Sequence, residues 1–162
     1  MTGRVFVTVG TTGFDDLVGE FTSPAVQHEL VRQGYSDLVV QYGTSQAMFD
    51  TLLPAQGLKV RGYSYKADIA SDVQEADLVI SHAGSGSILE CLELGKPLVA
   101  VVNTRLMDNH QQELAEALAE RNHLVATTPD SLLRTLQERK YRSLKPFPPS
   151  DPTVFARLLD SC

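Results

Sequence analysis

Ala76-Asp-Leu-Val-Ile-Ser81, His82-Ala-Gly84-Ser85-Gly86-Ser87 and Ile88-Leu-Glu90, running on to Gly95, form the stretch from which the fold is read. Asp77 to Ser81 is a short β-branched run and reads as a strand. Gly84 and Gly86 interrupt it, and a helix follows to Leu94, where Gly95 closes it. Leu98 to Val102 then resumes as a strand. A strand, a glycine turn, a helix and a second strand make the repeating unit of a parallel sheet.

The same alternation extends in both directions. Upstream, Arg4 to Val9, Asp37 to Tyr42 and Leu58 to Gly62 read as strands. Helices are expected from Phe14, from Pro24 with Ser23 as its cap and a stop at Gly34, over Ala47 to Leu53, and over Ala67 to Glu75. Downstream, a helix from Asp108 to about Arg121 precedes a brief strand, Leu124 to Ala126, and a helix over Asp130 to Arg139. Pro146, Pro148 and Pro149 force an extended segment before a last helix, Thr153 to Leu159. The expected fold is therefore α/β, a Rossmann-like, doubly wound parallel sheet in one domain, residues 1–142. Residues 143–162 are expected to form an extended segment and C-terminal helix. Such sheets bind ligands beyond the carboxyl ends of their strands, at Gly10 to Gly13, Tyr42 to Thr44, Tyr63 to Lys66, His82 to Ser87 and Asn103 to Gln111.

Bulk composition narrows the function. The 162 residues, 43 % hydrophobic and 21 % charged, suit one globular domain with a buried core. A net charge of −6 and the absence of Trp disfavour nucleic acid, which needs phosphate-neutralising and base-stacking side chains. The apolar runs from Val5 and from Pro97 are far shorter than the roughly 20 residues of a membrane span, and the first residues lack a signal peptide's apolar region. Two cysteines, Cys91 and Cys162, neither make a disulfide framework nor have metal-ligand spacing, so a reducing, cytosol-facing compartment is expected. Cys91 reads as a core thiol, and His28 and His123 as structural or solvent-facing.

Three constellations can carry chemistry. In the first, Gly84, Ser85 and Gly86 let a ligand approach backbone amides at a helix start, an anion site by geometry and by dipole. His82 and Ser87 can donate to a phosphate oxygen, and Glu90, one turn after Ser87, can accept two sugar hydroxyls. Ser87-x-x-Glu90 equally matches a capping box, which needs no ligand. In the second, Asn109, His110 and Gln111 open a helix beside the same sheet edge, Gln111 having donors and acceptor for hydroxyls; Asp108 and Gln111 also fit a cap. In the third, Gly10, Thr11 and Thr12 lead a small, hydroxyl-rich loop that suits a phosphate, a neighbouring chain or a plain turn. A dinucleotide fold wants G-x-G-x-x-G after the first strand and an acid closing the second. Here the loop is Gly10-Thr-Thr-Gly13 and the strand ends in Gln41-Tyr-Gly43. Gly95-Lys96-Pro97 is not a P-loop.

On Val5-Phe-Val-Thr-Val-Gly-Thr-Thr-Gly-Phe-Asp-Asp-Leu17, Ala76 to Glu90, Gly95-Lys-Pro-Leu-Val99 and Asn109-His-Gln-Gln-Glu-Leu-Ala115, the chain resembles the glycosyltransferase family 28 C-terminal domain. Within it, the likeness is to the small catalytic subunits of the eukaryotic two-subunit UDP-N-acetylglucosamine transferase of N-glycan precursor synthesis. The resemblance implies the donor-binding C-terminal half of a GT-B glycosyltransferase. His82, Gly86 and Ser87 would then hold the diphosphate, Glu90 the ribose, and His110 and Gln111 the sugar ring. An Asp commonly precedes that Gln in related transferases, where this chain has His110. Tyr63 or Tyr65 would border the uracil.

One such half lacks the acceptor site. The resemblance implies no catalytic base in this chain, no metal or other cofactor, and UDP-N-acetylglucosamine as donor. It further implies a heterodimer with a membrane-anchored, acceptor-binding subunit on the cytosolic face of the endoplasmic reticulum, where dolichyl-diphosphate-N-acetylglucosamine is extended with inversion. Lys145 to Leu159 is expected either to dock on that partner or to pack on its own domain. The alternatives are a non-catalytic UDP-sugar-binding module, and a split transferase of bacterial exopolysaccharide type using another UDP-sugar.

Overall fold

The structure, a computed structural model, describes residues 3–104 and 109–147, with 109–111 described by their backbone alone. Asp108, the segment 148–162 and the helix expected over Thr153 to Leu159 lie outside the described residues.

Six strands form one parallel sheet: β1 Gly3–Thr8, β2 Tyr35–Gln41, β3 Lys59–Tyr63, β4 Leu78–His82, β5 Leu98–Val101 and β6 Val125–Thr127. Their spatial order is β3-β2-β1-β4-β5-β6, with every pair parallel. Among the described residues seven helices accompany them: α1 Asp15–Glu20, α2 Pro24–Arg32, α3 Gln46–Phe49, α4 Ala70–Glu75, α5 Ser85–Glu93, α6 Asn109–Glu120 and α7 Leu132–Glu138.

The two-residue period of the strands explains why both faces need cover. In β1, Val5 and Val7 enter a cluster with Leu17, Phe21, Leu30 and Leu136, from α1, α2 and α7 and the turn after α1. Phe6, between them, enters a second cluster with Val73, Ile88, Leu92 and Leu118, from α4, α5 and α6. All three strand residues are fully buried. A central strand apolar on both sides is what a doubly wound sheet requires. Truncating Phe6 to alanine would cost about 3–5 kcal/mol.

The chain winds from β1 through β2 to β3, crosses back to β4 and continues the other way. The connections after β1 and β4 therefore leave opposite faces of the sheet and open a crevice between them. This switch point positions the site.

Several boundaries differ from the sequence reading for local reasons. The helix expected from Ala67 begins at Ala70, because the Asp68 carboxylate accepts the Ala70 N–H at 2.8 Å and turns the chain first. The helix expected over Ala47 to Leu53 is the single turn Gln46–Phe49. That expected from Asp130 starts as a 3-10 turn, Pro129–Ser131, and ends at Arg139 in a left-handed conformation. Pro24 does take the first position of α2, but the Ser23 hydroxyl makes no capping bond. Beyond a second 3-10 turn, Lys140–Ser143, the chain lies on the domain: Lys145 N–H donates to Asn122 O at 2.7 Å, and Phe147 is buried beside His123.

Candidate functional site

The β4–α5 connection brings His82, Gly84, Ser85, Gly86 and Ser87 together at the switch point. α5 starts at Ser85 with Gly84 as its cap residue and no side-chain cap. Ser87 therefore sits inside the first turn, and its hydroxyl meets His82 Nε2 at 3.1 Å. The capping-box alternative for Ser87 and Glu90 falls, because neither residue stands at the helix boundary. The Ile88 N–H is bonded to Gly84 O at 3.0 Å; the amides of Ser85, Gly86 and Ser87 precede it and have no intrahelical acceptor. They form a cluster of donors at the positive end of a nine-residue helix.

Glycine is required here for different reasons at different positions. A Cβ on Gly84 would lie 2.2 Å from His82 Cε1, and one on Gly10, whose φ is +82°, would lie 2.7 Å from His82 Nε2. The imidazole is thus held between two side-chain-free backbones, one from each loop of the crevice. A Cβ on Gly86 would meet nothing within 4 Å. The chain's own packing leaves room for a side chain there, so Gly86 keeps the amide edge open toward solvent. Burial pushes the His82 imidazole below its ordinary value, and the ring is neutral at pH 7.

Glu90 lies in the next turn of α5, half-buried. Burial, and then the charges of Asp68 and Glu93, push its carboxyl above the ordinary range. Among the described residues that carboxyl has no hydrogen-bond partner. An acid in this state gains from hydroxyl donors supplied by a ligand.

Thr11 and Thr12 are exposed at the tip of the β1 loop. Of the two tyrosines at the end of β3 and just beyond it, Tyr63 is engaged. Its hydroxyl donates to Asp72 at 2.5 Å, Lys66 Nζ binds the same carboxylate at 3.2 Å, and the ammonium lies 4.3 Å from the Tyr63 ring centroid. Burial, then Asp72, raise the Tyr63 pKa. Tyr65 is 58 % exposed and available to a ligand. The backbone of Asn109, His110 and Gln111 opens α6 after β5, beside the same edge; their side chains lie outside the described structure. Cys91 is fully buried, His28 is exposed, and His123 Nδ1 is tied to Lys145 O at 3.2 Å.

The sequence reading missed one residue. Gln41, the last of β2 and 2 % exposed, makes five hydrogen bonds through its carboxamide. A dinucleotide fold keeps a ribose-binding acid at this strand end. Here the side chain is turned inward and saturated, so β2 has nothing to offer a ribose. A buried Gln within the otherwise apolar run Leu38-Val-Val40 was the available signal.

Two other clefts open on the same edge. One, of about 310 Å³, is lined by Asp16, Glu20, Thr104, Thr128, Pro129 and Asp130; the other, of about 290 Å³, by Gly13 to Asp16, Thr44 and Asn103. Burial, Asp130 and Asp16 together raise the Glu20 pKa. Carboxylates rim both clefts and would repel a diphosphate, which favours the His82 corner for anions. Among the described residues no group of three or more His, Cys, Asp or Glu could hold a metal ion, and no helix is long and apolar enough to cross a membrane.

Comparison with known proteins gives the chain its family. The glycosyltransferase family 28 C-terminal domain matches residues 4–159. The chain belongs to this family. It is 46 % identical to the human protein named UDP-N-acetylglucosamine transferase subunit ALG13 over 124 residues, 76 % of this chain and 11 % of the human one. The chain thus spans about a tenth of that relative's length. A solution structure of ALG13 superposes with a TM-score of 0.74 at 34 % identity, covering 97 % of this chain and 94 % of that one. MurG from Acinetobacter baumannii matches with a TM-score of 0.70 at 20 % identity, covering 99 % of this chain and 49 % of MurG. That likeness concerns fold alone, and the six-stranded sheet matches the C-terminal, Rossmann-like half of a GT-B enzyme.

Proposed function

We propose that this chain is the donor-binding, catalytic subunit of a heteromeric glycosyltransferase. It would move N-acetylglucosamine from UDP-N-acetylglucosamine to dolichyl-diphosphate-N-acetylglucosamine, with inversion. The observation that carries this reading is the α5 N-terminus, where free amides, the Ser87 hydroxyl and the His82 ring converge at the switch point with Glu90 one turn away. The family, and the name borne by the human relative, support the same donor.

The chemistry follows from charge. Breaking the bond between sugar and β-phosphate leaves extra negative charge on the departing UDP. Amides aimed at that phosphate before the reaction stabilise the charge as it develops. His82, neutral in the free protein, can take up a proton beside the phosphate and become a second donor. Glu90 accepts the ribose hydroxyls, Gln111 and His110 meet the sugar ring, and Tyr65 borders the uracil. Asn109, Thr11 and Thr12 complete the rim. No cofactor is needed in this scheme, since fixed dipoles carry the neutralisation that a cation could otherwise supply.

The base that deprotonates the acceptor hydroxyl is assigned to a second, membrane-anchored subunit that binds the lipid-linked acceptor. It holds this chain at the cytosolic face of the endoplasmic reticulum, and residues 143–162 are the proposed docking element. Titration of the purified chain with UDP-N-acetylglucosamine, followed by a transfer assay with the partner and the lipid acceptor, tests the scheme. Binding by the lone chain, with turnover only after partner addition, is expected. Transfer that survives Glu90→Ala combined with Gln111→Ala would overturn the assignment. Equal competition by UDP-glucose and UDP-glucuronic acid would redirect it to another donor.

A further inference from the structure

We infer that Gln41 is a positioning residue for the donor site: its buried carboxamide sets the Gly10 backbone against the His82 ring. The inference rests on the donor reading above and adds a residue that touches no ligand.

The geometry is a two-sided clamp. Oε1 accepts from the Thr8 hydroxyl at 2.5 Å, the Val9 N–H at 3.1 Å and the Gly10 N–H at 3.2 Å. Nε2 donates to Gly10 O at 2.8 Å and to Ser64 O at 2.7 Å. Both backbone polar groups of Gly10 are therefore held by one side chain. Gly10 in turn abuts the imidazole so closely that no Cβ fits between them. The contacts run from Ser64 through Gln41 and Gly10 to His82, and from His82 to Ser87. The β1 and β3 loops, which flank the proposed phosphate and base positions, thus share a single anchor.

Only a carboxamide of this length serves both sides. Glutamate keeps the shape but turns a donor toward two carbonyls into an acceptor. Methionine keeps the volume and abandons all five bonds: the Gly10 C=O loses its donor, and the Gly10 N–H keeps only the Thr8 hydroxyl at 3.5 Å. Either change frees Gly10 to move, and a small displacement of a phosphate-binding group is enough to weaken binding severalfold.

The test uses the full chain with Gln41→Glu and Gln41→Met, and Glu29→Ala as a control that disturbs an ion pair at the other end of the sheet. Three quantities are read: the melting temperature, the UDP-N-acetylglucosamine dissociation constant well below it, and the His82 ring Cε1–H resonance without ligand. Gln41→Met is the fallback should the buried charge of Gln41→Glu prevent folding. A loss of affinity of about tenfold in a folded Gln41 variant is expected, with a shifted His82 resonance, while Glu29→Ala lowers the melting temperature and leaves both unchanged. A folded Gln41 variant with unchanged affinity and an unmoved His82 resonance overturns the inference and leaves Gln41 a purely structural residue. Failure of the wild-type chain to bind the donor sinks the donor reading instead. The His82 resonance still decides in that case whether Gln41 positions the ring.

Discussion

Two glutamates on two helices of this domain live in opposite circumstances. Glu29, on α2, is 5 % exposed and saturated: Arg32 Nη2 donates to it at 2.8 Å, Gln33 Nε2 donates at 2.7 Å, and Arg139 lies at 3.8 Å. Burial alone would raise its pKa, but the hydrogen bonds from Gln33 and Arg32 and the charges of Arg32 and Arg139 hold it below the ordinary range. Glu90, on α5, is held above that range by burial and by Asp68 and Glu93, and its carboxyl has no hydrogen bond among the described residues. One carboxylate contributes stability, and the other costs stability in the free protein. Polar groups left unsatisfied beside a crevice are poised for a ligand, whereas saturated ones are finished structure.

The sharpest way to break this contrast is Glu90→Ala. Losing charge-assisted bonds to the ribose should weaken UDP-N-acetylglucosamine binding by about 2–3 kcal/mol, roughly 30- to 150-fold, by calorimetry. The isosteric Glu90→Gln should weaken binding too, while raising the melting temperature of the free chain, because it removes a carboxylate whose charged form the fold disfavours. If the melting temperature falls instead and the affinity is unchanged, Glu90 belongs with Glu29.

Glu29→Ala is the mirror experiment. It should cost about 1–2 kcal/mol, lowering the melting temperature by roughly 2–8 °C, with the donor affinity unchanged; the figure is modest because Arg32 is largely exposed. The pH dependence has a definite sign. Glu29 has a lowered folded pKa, so its contribution is present above the ordinary carboxylate value of 4.5 and is lost as pH falls through the folded value. Glu90 has a raised one, so its penalty is absent in acid and grows as pH rises from 4.5 through the folded value. Urea melts of the wild type, Glu29→Ala and Glu90→Gln across pH 3–7 should show the two variants' differences from wild type moving in opposite directions.

Gly86→Ala refines the picture further. Its Cβ has open space, so the free chain should be unchanged or about 0.5 kcal/mol more stable, while the donor binds more weakly. Gly84→Ala, which drives a Cβ into His82, should lose both. The smallest expected effect is proton uptake. His82 is neutral in the free protein, so binding of the donor diphosphate should draw up a fraction of a proton near pH 7, and affinity should rise as pH falls toward 6. Calorimetry in buffers of different ionisation enthalpy measures this directly, and His82→Gln should abolish it.

Much of this molecule is legible in its residues because the relevant signals are local. β-Branched runs alternating with amphipathic segments determine a parallel α/β sheet, since strand and helix periods are properties of neighbouring positions. His82, Gly84, Gly86, Ser87 and Glu90 are likewise adjacent in sequence and arrive together wherever the strand meets its helix. Contacts made across the chain were decided by the tertiary structure alone. Ser87-x-x-Glu90 reads equally as a cap until Gly84 is seen to hold the boundary, and Tyr63 and Tyr65 are indistinguishable until Asp72 and Lys66 claim the first. The role of Gln41 depends on partners at residues 8–10 and at residue 64, which only the packing of three strands brings around one carboxamide. A glutamine at a strand end has the same local sequence whether it faces water or two buried carbonyls, and burial is what separates the two.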